Sequence, residues 1–173
     1  MSRIRFHPIL GTFIASAALM AAGCYSFQGG GGFPSGIRTV YIEPFENRTV
    51  QVELDQQLFQ KLTDRLPRAL GTRPGSEQNA DAVIRGRILN YDDVGQNYRP
   101  GQTGGNIDVL TYQVSITVAV EIIDRQRNVV LWDTQSLVGR GEYRRDTQKD
   151  TDGRETALNH ILQQIIDGAQ SQW

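Results

Sequence analysis

The chain contains 173 residues, 39% of them hydrophobic and 21% charged, with a formal net charge of −1 at pH 7. A nucleic-acid-binding protein would be strongly basic, so this charge argues against nucleic acid as a partner. The length and the apolar content fit one domain with a two-layer core.

The amino terminus has the composition of a secretory signal peptide. Arg3 and Arg5 supply positive charge, and residues 9–23 form an uncharged run of 15 residues. This run is shorter than the roughly 20 apolar residues of a membrane-spanning helix. The uncharged run ends in Ala21-Ala22-Gly23, and Cys24, the only cysteine of the chain, follows directly. The resulting motif AAGC resembles the bacterial lipobox. We therefore predict a lipoprotein signal peptide over residues 1–23 and lipidation of Cys24.

Lipidation of Cys24 would anchor the mature chain to a membrane, because two or three acyl chains bind stably where one does not. It would leave no cysteine for a disulfide or for a thiolate metal site. The alternative is a lone buried cysteine at the end of an ordinary signal peptide. Residues 24–36 continue into the glycine-rich sequence YSFQGGGGFPSG, which is typical of a flexible tether. We expect a single folded domain over residues 37–173.

Three elements are predicted in the first half of this domain. Residues 37–42 are β-branched and aromatic, which favours a strand. Residues 52–70 carry leucines at four-residue spacing and predict an amphipathic helix, with Pro67 ending or kinking its last turn. Residues 83–91 predict a second strand. The helical leucines are Leu54, Leu58, Leu62, Leu66 and Leu70.

A long loop is predicted over residues 95–108, which contain four glycines and one proline. Loops of this length in small domains usually carry a function or are disordered. Tyr98 and Arg99 are residue types that often anchor protein interfaces, so we predict a possible partner contact there. Simple disorder of the loop is the alternative.

The clearest pattern in the chain is an alternation over residues 110–122, in which the even positions are apolar and the odd positions are mostly polar. It predicts a long antiparallel strand with one buried face, on which Ile116 and Val118 lie, and one wet face, on which Thr117 lies. Residues 124–128 form the predicted turn, and residues 129–139 return as the partner strand.

The last predicted element is an amphipathic helix whose start resembles a capping box formed by Asp152 and Glu155. Its apolar stripe consists of Leu158, Ile161, Leu162, Ile165, Ile166 and Ala169. The predicted order is therefore β-α-β-β-β-α. We expect an α+β two-layer sandwich with a mainly antiparallel four-stranded sheet and two helices on one face.

The sequence offers no constellation for catalysis. His160 would be the only histidine of the mature chain, and we expect it to be exposed on the last helix. Asp92 and Asp93 lack the spacing of an EF-hand and more often mark a solvated strand end. The four glycines at residues 29–32 precede a strand rather than a helix, which does not match a phosphate-binding loop. We predict no enzymatic activity, no cofactor and no metal.

Several segments together resemble the LPS-assembly lipoprotein LptE family. They are CYSF after the lipobox, the glycine-rich tether, IRTVYIEPFENRT, ADAVIRGRI, the alternating strand and VVLW. The resemblance implies a non-enzymatic lipoprotein that partners the β-barrel LptD and helps carry lipopolysaccharide to the outer membrane. Strands followed by PF-x-N also occur in lipoproteins that activate cell-wall synthases or serve curli secretion, and this is the alternative function.

The resemblance also suggests a location and a set of ligand contacts. Tyr25 stands where inner-membrane lipoproteins of enteric bacteria have Asp, so we expect a lipid-anchored protein of the outer membrane that faces the periplasm or the barrel lumen. Lipopolysaccharide carries phosphates, which arginine pairs well. The possible contacts are Arg85 and Arg87 on one strand face and Arg140, Arg144 and Arg145 after the last strand. A solvated face balanced by nearby acids is the alternative.

Overall fold

The computed structural model describes residue 34, residues 36–100 and residues 107–171. The predicted signal peptide, Cys24 and most of the predicted tether lie outside the described residues. The elements are β1 (Thr39–Ile42), β2 (Glu46–Asn47), α1 (Leu54–Ala69), β3 (Arg73–Pro74), β4 (Ala82–Pro100), β5 (Ile107–Asp124), β6 (Val129–Tyr143) and α2 (Asp150–Gln170).

The strands form one mixed sheet with the order β3-β1-β4-β5-β6, and β2 pairs with β4 beside this path. The pairs β4–β5 and β5–β6 are antiparallel, whereas β1 runs parallel to β4, with Val40 opposite Ala82. The α+β class is confirmed, but the predicted four-stranded, mainly antiparallel sheet is wrong in detail. Strands β2 and β3 have two residues each and show no periodicity, and α1 acts as the crossover that makes β1 and β4 parallel.

Both helices pack on one face of this sheet, and the core lies between the two layers. The leucines of α1 at positions 54, 58, 62 and 66 are fully buried. Ile116 and Val118 of β5 are also 0% exposed, whereas Thr117 is only half-buried. The register predicted from the alternation is therefore confirmed. Pro67 lies in the last turn of α1, which ends two residues later, as expected.

Two glycines of β6 allow α2 to approach the sheet closely. A Cβ atom on Gly139 would overlap the carbonyl oxygen of Ala157, and one on Gly141 would overlap that of Gly153. The helix begins earlier than predicted, at Asp150, and Asp152 accepts a 2.9 Å hydrogen bond from the Lys149 N–H. The predicted capping box of Asp152 and Glu155 is wrong, because Asp152 lies inside the first turn.

The predicted loop over residues 95–108 is largely wrong. Residues up to Pro100 continue β4 and residues from Ile107 begin β5, so the two strands form one long hairpin that extends to the pair Pro100–Ile107. Residues 101–106 lie outside the described part of the chain. Register shifts on either side of Asn97 interrupt the alternation, which explains why this stretch shows no strand pattern in the sequence.

Candidate functional site

The face of the sheet opposite the helices is open and polar. The odd-numbered side chains of β5 that were predicted to be wet lie on this face and are half-buried: Thr111, Gln113, Ser115 and Thr117. Most of their neighbours across the pairing are polar as well, with Asp92 of β4 and Arg140 of β6 opposite Ser115, although Val94 lies opposite Gln113 and Val138 opposite Thr117. The open face therefore offers hydrogen-bonding groups across three adjacent strands.

One end of the open face forms a groove of about 450 Å³. Arg85 and Arg87 project from β4 into this groove on the same face, as predicted. Arg85 Nη2 lies 2.8 Å from Glu121 Oε2, whereas Arg87 makes no ion pair within 4.0 Å among the described residues. Four carboxylates line the groove as well: Glu43, Glu46, Glu121 and Asp133. The groove therefore has a mixed charge and suits a polar ligand with both donors and acceptors.

Glu46 shows how the charges of the groove are balanced. The Arg48 guanidinium donates two hydrogen bonds of 3.0 Å to the Glu46 carboxylate. This pairing, with a smaller contribution from the nearby Arg87, holds the pKa of Glu46 below its ordinary value. Glu46 is therefore an anion at neutral pH and remains available as an acceptor.

Arg140 lies apart from this groove. It belongs to β6, which ends at Tyr143, so its predicted place after the last strand is wrong. It pairs in register with Ser115, while Arg87 pairs with Ala119, which puts the two arginines about 13 Å apart along β5. Arg140 is exposed and makes no ion pair within 4.0 Å in the described part of the chain. The structure thus separates it from Arg85 and Arg87.

Arg144 and Arg145 follow β6 and are already engaged by side chains of the domain. Arg144 Nη2 lies 2.7 Å from Asp146 Oδ2. The Arg145 guanidinium lies over the ring of Tyr112, 3.8 Å from its centroid, which is cation–π geometry. The five predicted arginines therefore form three separate groups.

Arg145 belongs to a cluster that was not predicted from the sequence. The rings of Tyr112 and Tyr143 stack with centroids 5.5 Å apart, and the Tyr143 hydroxyl donates a 2.7 Å hydrogen bond to Asp93 Oδ2. Burial, and then this bond to Asp93, raises the pKa of Tyr143. Asp93 is therefore half-buried in the middle of β4 instead of marking a solvated strand end. An aromatic residue at position 112 among aliphatic ones was the available signal.

Tyr98 and Arg99 lie in the distal part of the hairpin. The Tyr98 side chain is 59% exposed, and its hydroxyl donates a 2.8 Å hydrogen bond to the Gly95 carbonyl. Arg99 Nε lies 3.4 Å from Asp108 Oδ2 on the opposite strand. The two side chains are therefore presented by paired β-structure, on the same strand as an exposed apolar residue, Val94.

Neither a metal site nor a membrane span is found among the described residues. No three side chains of His, Cys, Asp or Glu in this part of the chain are grouped closely enough to hold a metal ion. His160 is exposed on α2, as predicted. Neither described helix combines the length and the apolar character needed to cross a bilayer.

Solved structures share this fold at low sequence identity. They include a PelC dodecamer from Paraburkholderia phytofirmans, with 16% identity over 80% of this chain and 90% of that chain and a TM-score of 0.50. Lipoprotein B from Nitrosomonas europaea has 13% identity over 85% of this chain and 90% of that chain, with a TM-score of 0.52. The protein CT253 from Chlamydia trachomatis has 12% identity over 78% of this chain and 99% of that chain, with a TM-score of 0.50. These likenesses define the class of α+β fold, in which lipoproteins occur, and they show the fold alone.

The family follows from the sequence itself. Residues 37–171 match the LptE family, which is described as lipopolysaccharide-assembly. This match covers most of the chain, so the chain belongs to the LptE family, as the resemblance of its segments predicted. No curated protein matches the chain.

Proposed function

We propose that this chain is an outer-membrane lipoprotein that partners a β-barrel of the LptD type in the transport and assembly of lipopolysaccharide. The family match over residues 37–171 carries the proposal. In this role the protein acts by binding and has no catalytic activity. Signal peptidase would remove residues 1–23, lipid on Cys24 would anchor the chain, residues 24–36 would form the tether, and residues 37–173 would form the domain.

The polar open face supports a position inside a barrel. The lumen of a transmembrane β-barrel is polar, and a domain that docks there meets hydrogen-bonding groups rather than lipid. Such groups lie along one strand, on Thr111, Gln113, Ser115 and Thr117. These residues are half-buried, so a partner that docks on this face can bury them fully.

The hairpin supports a contact with the barrel. Tyr98 offers a large exposed aromatic surface, and its hydroxyl is held by Gly95, so little side-chain freedom is lost when a partner covers it. Arg99 adds a planar donor beside it. We assign Tyr98 and Arg99 to the barrel interface, so the hairpin takes the role that was predicted for a loop.

The arginines differ in how well they suit lipopolysaccharide phosphates. Arg87 and Arg140 are exposed and make no ion pair among the described residues, so they can pair a phosphate without first losing a partner. Arg85, Arg144 and Arg145 would have to exchange an existing carboxylate or aromatic contact. We therefore propose Arg87 and Arg140 as the main phosphate contacts, with the other three in support.

Depletion of the protein in the bacterium that makes it tests the proposed function. Newly made lipopolysaccharide, followed by pulse labelling and density fractionation, should accumulate in the inner membrane and fail to reach the cell surface. Incorporation of cell-wall precursors, measured in the same cells, should continue at first. Normal delivery of lipopolysaccharide together with an early loss of cell-wall synthesis would instead support the alternative, an activator of a cell-wall synthase or another envelope complex.

A further inference from the structure

The end of the domain at which the predicted tether arrives carries a cluster of exposed arginines and valines. We call it the tether-side surface, and it consists of Arg38, Arg73, Arg125, Arg127, Val129 and Val130. Arg127 marks the point of arrival, because a Cβ atom on Gly36 would lie 4.0 Å from its Nη2 atom. Val129 and Val130 are 51% and 46% exposed, a high value for apolar residues that begin a strand.

Hydrogen bonds hold three of the four arginines together at one end of the sheet. The Arg73 N–H donates to the Arg38 carbonyl at 2.9 Å, and the Arg125 N–H donates to the Asp81 carbonyl at 2.9 Å. The Asp81 carboxylate in turn accepts a hydrogen bond of 3.0 Å from the Arg38 N–H. The guanidinium of Arg125 also donates to the Glu77 carbonyl. The backbones of Arg38, Arg73 and Arg125 are thus linked through Asp81 and through each other, while the arginine residues remain exposed.

The acids nearby offset part of the charge of this surface. The Asp81 carboxylate accepts from the N–H groups of Arg38 and Thr39, and the buried Asp124 carboxylate accepts from the N–H groups of Gln126 and Arg127. Asp124 also lies 3.7 Å from the Arg127 guanidinium. The exposed residues Arg38, Arg73 and Arg125 make no ion pair within 4.0 Å among the described residues, so the surface keeps cationic groups that face solvent.

We propose that the tether-side surface rests on anionic phospholipid headgroups of the membrane that holds the anchor. This inference depends on the proposed lipidation of Cys24. About 12 glycine-rich residues separate Cys24 from Gly36, and such a chain has an average end-to-end distance of about 20 Å. The domain would thus stay near the bilayer, with this end towards it. Arginines pair lipid phosphates, and the two valines can enter the boundary between headgroups and acyl chains.

The test uses the full-length lipidated protein, purified from membranes and reconstituted into vesicles of phosphatidylethanolamine and phosphatidylglycerol. Because the acyl chain blocks Cys24, one introduced cysteine gives one fluorescent label. Gln78→Cys places the label on the loop beside Arg125, and Thr151→Cys places it at the opposite end, on the first turn of α2. Lipids with a nitroxide on the headgroup quench a label that lies close to the membrane surface.

We expect strong quenching of the label at position 78 and weak quenching at position 151. Replacing Arg125 and Arg127 by Gln should lower the quenching at position 78 by about half or more. The matched change of Arg99 and Arg144 to Gln, at the other end, should not lower it. Vesicles of phosphatidylcholine alone carry no net negative charge, so the quenching at position 78 should fall there as it does for the Arg125 and Arg127 variant. Thermal unfolding of each variant shows whether the fold is kept. A variant that combines Val129→Ser and Val130→Ser leaves the charge unchanged and should also lower the quenching at position 78.

Flotation of the vesicles separates this inference from the proposed anchor. Protein that fails to float with the vesicles would overturn both. Protein that floats but shows equal quenching at positions 78 and 151 would keep the anchor and overturn the orientation. Protection of the label at position 78 only in native membranes, and not in pure lipid, would assign the surface to a protein partner and overturn the proposal.

Discussion

The Tyr143 hydroxyl and the Asp93 carboxylate meet across the full width of β5. Tyr143 is the last residue of β6 and Asp93 lies in β4, yet their side chains are joined by a 2.7 Å hydrogen bond beneath the intervening strand. The ring of Tyr112 on β5 stacks against the ring of Tyr143, and the Arg145 guanidinium lies over the ring of Tyr112. This cluster stabilises the base of the long hairpin, where the helical layer ends and the exposed strands begin.

Replacing Tyr143 by Phe should destabilise the domain by about 1–2 kcal/mol, because the Asp93 carboxylate would lose its donor in a half-buried place. Urea unfolding followed by circular dichroism measures this change. Tyr41→Phe is the matched control, since the structure gives the Tyr41 hydroxyl no hydrogen bond among the described residues, and it should change the stability by less than about 0.5 kcal/mol. Equal effects of the two substitutions would show that the bond to Asp93 contributes nothing.

Asp81 should make the stability depend on pH in the acid range. The hydrogen bonds from the N–H of Arg38 and the side chain of Thr39 hold the pKa of Asp81 below its ordinary value, because they favour the charged carboxylate. The folded state therefore binds fewer protons than the unfolded state, and the contribution is complete above a pH of about 4 and lost as the pH falls further. Asp81→Asn should be less stable than wild type at pH 7, and the difference should shrink below pH 4. Asp64→Asn, on the exposed face of α1, controls for the loss of a surface carboxylate. A difference for Asp81→Asn that stays constant down to pH 2 would contradict the assignment.

The register of β5 predicts opposite outcomes for two neighbouring substitutions. Ile116→Asp would bury an unpaired charge between the sheet and the helices, which costs several kcal/mol and should abolish cooperative unfolding. Thr117→Asp places the same charge on the open face and should leave a cooperative transition. Thermal unfolding of both purified variants decides the matter, and a folded Ile116→Asp protein would be incompatible with the buried position of this residue.

Much of the helical layer and the register of β5 could be predicted because their signals are local and periodic. The leucines of α1 repeat every four residues, and Ile116 and Val118 alternate with polar neighbours. The parallel pairing of β1 with β4 could not be read in this way, since it depends on how α1 crosses the sheet.

The distal hairpin and the aromatic cluster were missed for different physical reasons. Register shifts around Asn97 break the alternation that marks a strand, so the stretch resembled a loop. The cluster joins Asp93, Tyr112, Tyr143 and Arg145, which are far apart in the chain and share no motif. Its members become neighbours only through the pairing of three strands.

Cys24→Ala should block lipidation and cleavage of the signal peptide. The variant should remain as a precursor in the inner membrane or be released as soluble protein, because the acyl chains supply the anchor. Metabolic labelling with a tagged fatty acid, followed by gel electrophoresis, reports the modification directly. Equal labelling of the variant and the wild type would refute the assignment of Cys24. Density-gradient fractionation of the wild type should place it in the outer membrane.

Tyr98→Ala combined with Arg99→Ala should weaken binding to the barrel and leave the domain folded. Removal of an exposed aromatic anchor typically costs about 2 kcal/mol or more at an interface, so the variant should recover much less partner from solubilised membranes. Its melting temperature should match that of the wild type, since neither side chain belongs to the core. Val50→Ala is a control for loss of an exposed apolar side chain outside the hairpin. Full recovery of the partner by the double variant would show that Tyr98 and Arg99 do not contribute to binding of the barrel.

The proposed function requires that the chain binds an outer-membrane barrel. Affinity purification of the full-length lipidated protein from detergent-solubilised membranes, with mass spectrometry of the stoichiometric partner, measures this binding. We expect one large β-barrel of the LptD type in equal amounts with this chain, together with bound lipopolysaccharide. A cell-wall transpeptidase in place of the barrel, or no stoichiometric partner at all, would contradict it.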